Sequence, residues 1–163
     1  MTDGSACPGC GSPVGPAEGP THAYIGSSPG CWAQFGELMA SDIGDVSGQL
    51  VADAYAVQHP GVPERRAVQS VCVHLILLCA TLERGWPADR AVSLRRAALA
   101  RPPAPWRWLD PVLPLGTLTV ADVAAGRAPA DRGRRVLEWA DDVWCSWAPR
   151  HDEVRSWVDR LLA

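Results

Sequence analysis

The sequence contains no lysine: all 15 of its basic residues are arginine, set against 18 acidic ones for a net charge of −3. The arginines are interspersed with acids, as in Glu64-Arg65-Arg66, Asp131-Arg132 and Asp152 to Arg155. No basic stripe forms, and nucleic acid is not an expected partner. No apolar run approaches the roughly 18 residues that a membrane span requires. The first residues carry Asp3 and prolines, where a secretory leader would need a basic start and an apolar stretch. These absences lead to the expectation of a cytoplasmic protein with no membrane partner. In that compartment six cysteines are expected to serve as metal ligands and buried thiols rather than as disulfides.

What is present is enough for one globular unit. A chain of 163 residues, 47% hydrophobic and 20% charged, can bury a core of its own. Residues 1–30 are rich in Gly, Pro and Ser and show neither period 2 nor period 3.6, so by themselves they cannot offset the entropy of ordering. From there on the pattern is helical. Ser28 and Pro29 suit the N-cap and first position of a helix running to about Ile43. A second helix over about Ser47–Gln58 stops at His59-Pro60-Gly61, because a residue before proline is pushed out of the helical region. The third, about Glu64–Arg84, carries apolar residues at 3-4 spacing and is closed by Gly85. A fourth runs from about Pro87 to Ala100. After a Pro- and Trp-rich loop over 101–118, Thr119 and Asp122 resemble a capping pair for a short helix. Two amphipathic helices follow, over about Asp131–Trp147 and from Pro149 onward. The expected fold is all-α: a single bundle of about six or seven helices over 31–163, with 1–30 as an irregular metal-knuckle segment packed on it.

The most specific chemistry lies in Cys7-Pro8-Gly9-Cys10-Gly11. Two residues between cysteines let both sulfurs converge on one ion, and a following glycine accepts the positive φ such a turn requires. A redox pair would sit at a helix N-terminus, which Gly11 to Pro16 cannot start; a free dithiol is the blander alternative. The pair is half a site. Cys31, third in the first helix, gains from the helix dipole as a thiolate and is the candidate third ligand. Otherwise it is a small core residue. His22 is nearest in sequence for the fourth position, with His59, His151 or water as rivals. A protein ligand there makes the ion, zinc by this donor set, structural. Water makes it an open Lewis acid.

Other residues carry weaker signals. Cys72 and Cys79 share a helix face about 10 Å apart along its axis and read as core. If the second and third helices form an antiparallel hairpin, Asp53 falls level with Val71 and within reach of His74, as a buried hydrogen-bonded pair. His59 falls too far from His74 to share an ion with it. His151 faces inward from the start of the last helix. Trp106 and Trp108 either wall a pocket or anchor their loop.

The segments Asp53-Ala54-Tyr55-Ala56-Val57-Gln58-His59-Pro60-Gly61 and Thr119-Val120-Ala121-Asp122-Val123 resemble a bacterial family of unknown function, as do Trp139 to Trp147 with His151 and the cysteine knuckle. The resemblance covers most of the chain and brings no activity with it. It implies that the knuckle is an accessory staple and that any shared function lies around Asp53, Tyr55, His59 and His151. Two readings follow. One is a zinc protein with Cys7, Cys10, Cys31 and His22 as ligands, acting by binding a protein or small molecule. The other is a metal-dependent enzyme using His59 and His151 with Asp53 and Tyr55. A metal or thiol sensor is a third, disfavoured in its DNA-reading form by the lack of a basic helix.

Overall fold

The computed structural model describes residues 6–163. The first five residues of the expected knuckle segment lie outside that range. Residues 6–28 contain neither helix nor strand, and the rest is all-α, with seven α-helices among the described residues.

Helix α1 spans Pro29–Ala40, with the Ser28 hydroxyl accepting the Cys31 N–H at 3.3 Å. It stops short of the expected Ile43 because Ser41 turns extended and returns both its N–H and its hydroxyl to the Leu38 carbonyl. Helix α2, Gly48–Gln58, is capped by Ser47 and ends at His59. Helix α3, Arg65–Leu78, runs on through a wider π turn over Cys79–Glu83 to Gly85, whose φ of 63° lets the chain turn away. Helix α4 is Ala88–Ala100. Helix α5, Val120–Ala124, begins as the sequence suggests: the Asp122 carboxylate accepts the Thr119 N–H at 2.7 Å and its O–H at 2.9 Å. Helix α6, Pro129–Ser146, starts two residues earlier than expected, with Pro129 supplying the first helical φ. A 3₁₀ turn, Ala148–Arg150, leads into α7, His151–Leu162.

Helix α3 is the centre of the packing. It pairs with α2 and also touches α4, α6 and α7, while α2 packs on α6, α1 on α5, and α5 on α6. Leu75, Ile76, Leu77 and Leu78 are fully buried there and share one core with Tyr55, Trp139 and Trp147 among others. The sequence expectation about membrane spans needs a correction. Taken as one helix, Arg65–Glu83 is long and apolar enough to cross a bilayer, but more than half of it is buried inside the bundle. Its apolar length serves a core helix with neighbours on several sides.

The 101–118 segment is irregular, as expected, and it is pinned from beneath. Gln58, fully buried at the end of α2, donates to the carbonyls of Leu115 (2.9 Å) and Leu118 (2.7 Å) and accepts from the Trp139 indole at 3.0 Å. Asp142 accepts the N–H groups of Thr117 and Leu118 at 2.6 and 2.8 Å. These bonds satisfy backbone groups that a loop lying on a core would otherwise strand.

Candidate metal centre

Cys7 and Cys10 lie on a tight turn closed by Gly11 N–H to Cys7 O at 2.8 Å and Cys7 N–H to Ser12 O at 2.9 Å. Both glycines of the motif have a structural reason. Gly11 sits at φ 73°, and a Cβ on Gly9 would collide with the His59 ring and the Gly26 carbonyl. Cys31 comes from the first turn of α1, and His59 from the position where α2 ends.

The ligand atoms of Cys7, Cys10, Cys31 and His59 all lie within 4.8 Å of one another. Cys10 Sγ is 3.9 Å from Cys31 Sγ, and Cys31 Sγ is 3.4 Å from His59 Nε2. A tetrahedral ion with zinc-like bond lengths would give edges of about 3.8 Å between sulfurs and about 3.5 Å from sulfur to nitrogen. The arrangement is thus a candidate metal-binding site of three cysteines and one histidine, consistent with a divalent metal such as zinc. Cys7, Cys31 and His59 are buried and Cys10 is half-buried.

The surroundings orient each donor. His59 Nδ1 lies 2.8 Å from the Tyr55 carbonyl, which can only accept, so the proton belongs on Nδ1 and the lone pair of Nε2 is turned toward the sulfurs. The Tyr55 hydroxyl donates to Cys31 Sγ at 3.4 Å, and the Ser28 N–H donates to Cys7 Sγ at 3.4 Å. Tyr55 is itself sandwiched, stacked on Phe35 at 4.2 Å and against the His59 ring at 4.0 Å. Burial and the Cys31 sulfur push its phenol far above the ordinary range, so it stays a donor.

Without a cation the sulfurs divide their protons unequally. Hydrogen bonds from Cys10 and then Cys31 hold the Cys7 thiol far below its ordinary value against the opposing effect of burial. Hydrogen bonds with Cys10 and then Cys7, together with burial, push Cys31 far above. Burial disfavours a charged His59, yet its bonds to the Cys10 and Cys7 sulfurs outweigh this and raise it to about 9. A divalent cation supplies the charge that allows all three sulfurs to ionise together.

His22, the sequence choice for the fourth position, stands outside this group. Its ring lies edge-on to Tyr24 at 4.3 Å and 5.3 Å from Trp32, helping to cover α1. His59 takes the position because it closes α2 one turn beyond Tyr55, on the face turned to α1. The folded path of the chain sets that proximity, and spacing in sequence does not display it.

Of the residues of the enzyme reading, Tyr55 and His59 pack on each other, while Asp53 and His151 find other partners. Tyr55 engages Cys31, and Asp53 accepts from His74 Nδ1 at 2.7 Å, the pairing expected of the hairpin. His151 is stacked on Trp144 at 3.9 Å and donates from Nε2 to the Trp144 carbonyl at 2.9 Å, outside the cysteine group. His59 joins the cysteines, so the knuckle and the Gln58-His59-Pro60 segment meet in one cluster. Cys72 and Cys79 are core thiols, pushed up by burial to about 12 and about 11.

Residues 5–148 match the family of unknown function DUF5946. The chain belongs to that family. The match spans the cysteine turn, His59 and both helices that hold the site, so the candidate metal centre lies wholly inside the DUF5946 region. No curated protein and no solved structure matches the chain.

Proposed function

We propose that this chain is a small zinc protein whose three-cysteine, one-histidine site is structural, and that it acts by binding another molecule. One observation carries the first half: four protein donors face one centre, with the His59 tautomer set by the Tyr55 carbonyl. A complete tetrahedral donor set leaves no position for a reacting water, which separates a structural zinc from a catalytic one. Three thiolates and an imidazole favour zinc over magnesium or calcium, which prefer oxygen donors. Thiolate ligation requires reduced cysteines, which fits a reducing compartment such as the cytoplasm.

The site ties three pieces of chain together: the irregular segment 6–28, the start of α1 and the end of α2. Metal analysis of the purified protein is expected to return about one zinc per chain. Cys10→Ser is expected to lose that zinc and to melt at lower temperature. Protein that is metal-free as isolated and melts unchanged on adding zinc would overturn the reading.

A further inference from the structure

On the opposite side of Asp53 from its own helix lies a second constellation that the metal site does not use. Arg66, Ser70 and His74 are spaced four apart on α3 and form one stripe, facing Arg95 and Leu99 of α4 across a cavity of about 320 Å³. Tyr24, from the irregular N-terminal segment, closes the wall. The size is at the lower end of the range for small-molecule sites, about 300–1,000 Å³. Among the described residues no carboxylate lines it. Among the described residues Arg66 and Arg95 form no ion pair, whereas Arg84, Arg107, Arg134 and Arg155 each hold an acid.

A buried polar chain holds the two walls together. Asp53, fully buried, accepts from His74 Nδ1 at 2.7 Å and from Gln49 Nε2 at 2.8 Å, and Gln49 Oε1 accepts from Arg95 at 3.3 Å. The other oxygen of Asp53 is buried without a partner. Such a carboxylate costs stability that an apolar residue would not. Burial pushes its carboxyl above the ordinary range, opposed by the bond from His74. What the arrangement achieves is orientation: with Nδ1 committed to Asp53, Nε2 is the His74 nitrogen available to a ligand, in the manner of a carboxylate-oriented histidine. A neighbouring cavity of about 620 Å³ shares Gln69 and Leu99 with the first and is walled by Trp106 and Trp108.

We propose that this cavity binds a small molecule carrying an oxyanion, phosphate or carboxylate, between Arg66, Arg95 and His74, with an aromatic or apolar remainder toward Trp106 and Trp108. Guanidinium forks match the geometry of both oxyanions, and the His74 ring, oriented by Asp53, lines the same cavity. The proposal gives a ligand class to the binding role above and rests on that role.

The test is calorimetric titration of the zinc-loaded full chain with phenyl phosphate and with benzoate, which present the two oxyanions on one ring, in about 0.15 M salt to screen diffuse attraction. Saturable one-to-one binding of at least one is expected, weakened about tenfold or more in Arg66→Gln and in Arg95→Gln, the loss of one charge-assisted contact. Arg96→Gln, on α4 but outside the cavity, is expected to leave the affinity unchanged, and circular dichroism checks that each variant folds. The imidazole resonances of His74 are expected to shift on saturation. Binding of neither compound, or equal affinity in Arg66→Gln, Arg95→Gln and the unaltered chain, overturns the proposal. Zinc content measured on the same samples separates the two readings: a zinc-loaded chain that binds neither compound loses only the pocket, and a zinc-free chain that binds one loses only the metal centre.

Discussion

At the scale of single residues, the chemistry of the metal centre turns on which histidine faces the sulfurs. His59 is fully buried with its Nδ1 on the Tyr55 carbonyl, while His22 packs its ring on Tyr24 and Trp32. His59→Ala is therefore expected to lose tight zinc binding, and His22→Ala to keep one zinc per chain with a small loss of stability from the missing ring contact. Titration with a zinc chelator on the two variants checks this, and the opposite ranking would return the fourth position to His22. The stability at stake follows from mass action: with free zinc about a thousandfold above its Kd, the site contributes on the order of 4 kcal/mol that the His59 variant forgoes. The pairing of Cys7 with Cys10 and the addition of Cys31 were readable from spacing and helix position alone. His59 was not, because the sequence does not say which side of α2 meets α1.

At the scale of elements, α2 serves several neighbours at once. Its residues face three ways: Asp53 toward α3, Tyr55 and His59 toward the cysteines, and Gln58 toward the 101–118 loop and α6. This explains why it carries almost no polar outer face, with eight of its eleven residues buried. Gln58 is the least replaceable of them by an apolar residue of similar size. Gln58→Leu would strand two carbonyls and one indole N–H, each at a cost of about 1–3 kcal/mol if water does not reach it. The expected result in denaturant unfolding is a loss of about 3 kcal/mol or more with zinc content retained. An unchanged midpoint would mean that water replaces the amide and that the loop is not held from this point. The sequence located the loop by its prolines, but it could not locate the anchor, since a glutamine in a helix reads as solvent-facing until the neighbouring helix is known.

For the whole molecule, the candidate metal site and the proposed pocket are linked through the segment 6–28. Residues 6–28 have no helix or strand of their own, and they are joined to the bundle by the cysteine group and by the Gly26 N–H to the His59 carbonyl at 3.0 Å. Tyr24, carried between these attachments, lines the pocket. Removing zinc is then expected to free this segment while the helices persist. Limited proteolysis after chelation should cut within 6–28 first, with helical circular dichroism largely retained. Simultaneous loss of the helical signal would show instead that the bundle depends on the metal to fold.

The sequence by itself determined the helices, because period, caps and glycine stops are local properties, written within a few residues of where they act. It determined the cysteine turn for the same reason, since Cys7, Cys10 and Gly11 lie within one short loop. It also indicated the Asp53–His74 pair, because a short link between two helices leaves little freedom in their register. Only the tertiary structure decided that His59 completes the cysteine site, that Gln58 holds the long loop, and that Arg66, His74 and Arg95 face one cavity. Each of these joins residues from different elements, and such distances depend on how the helices pack around α3, which no single stretch of sequence encodes.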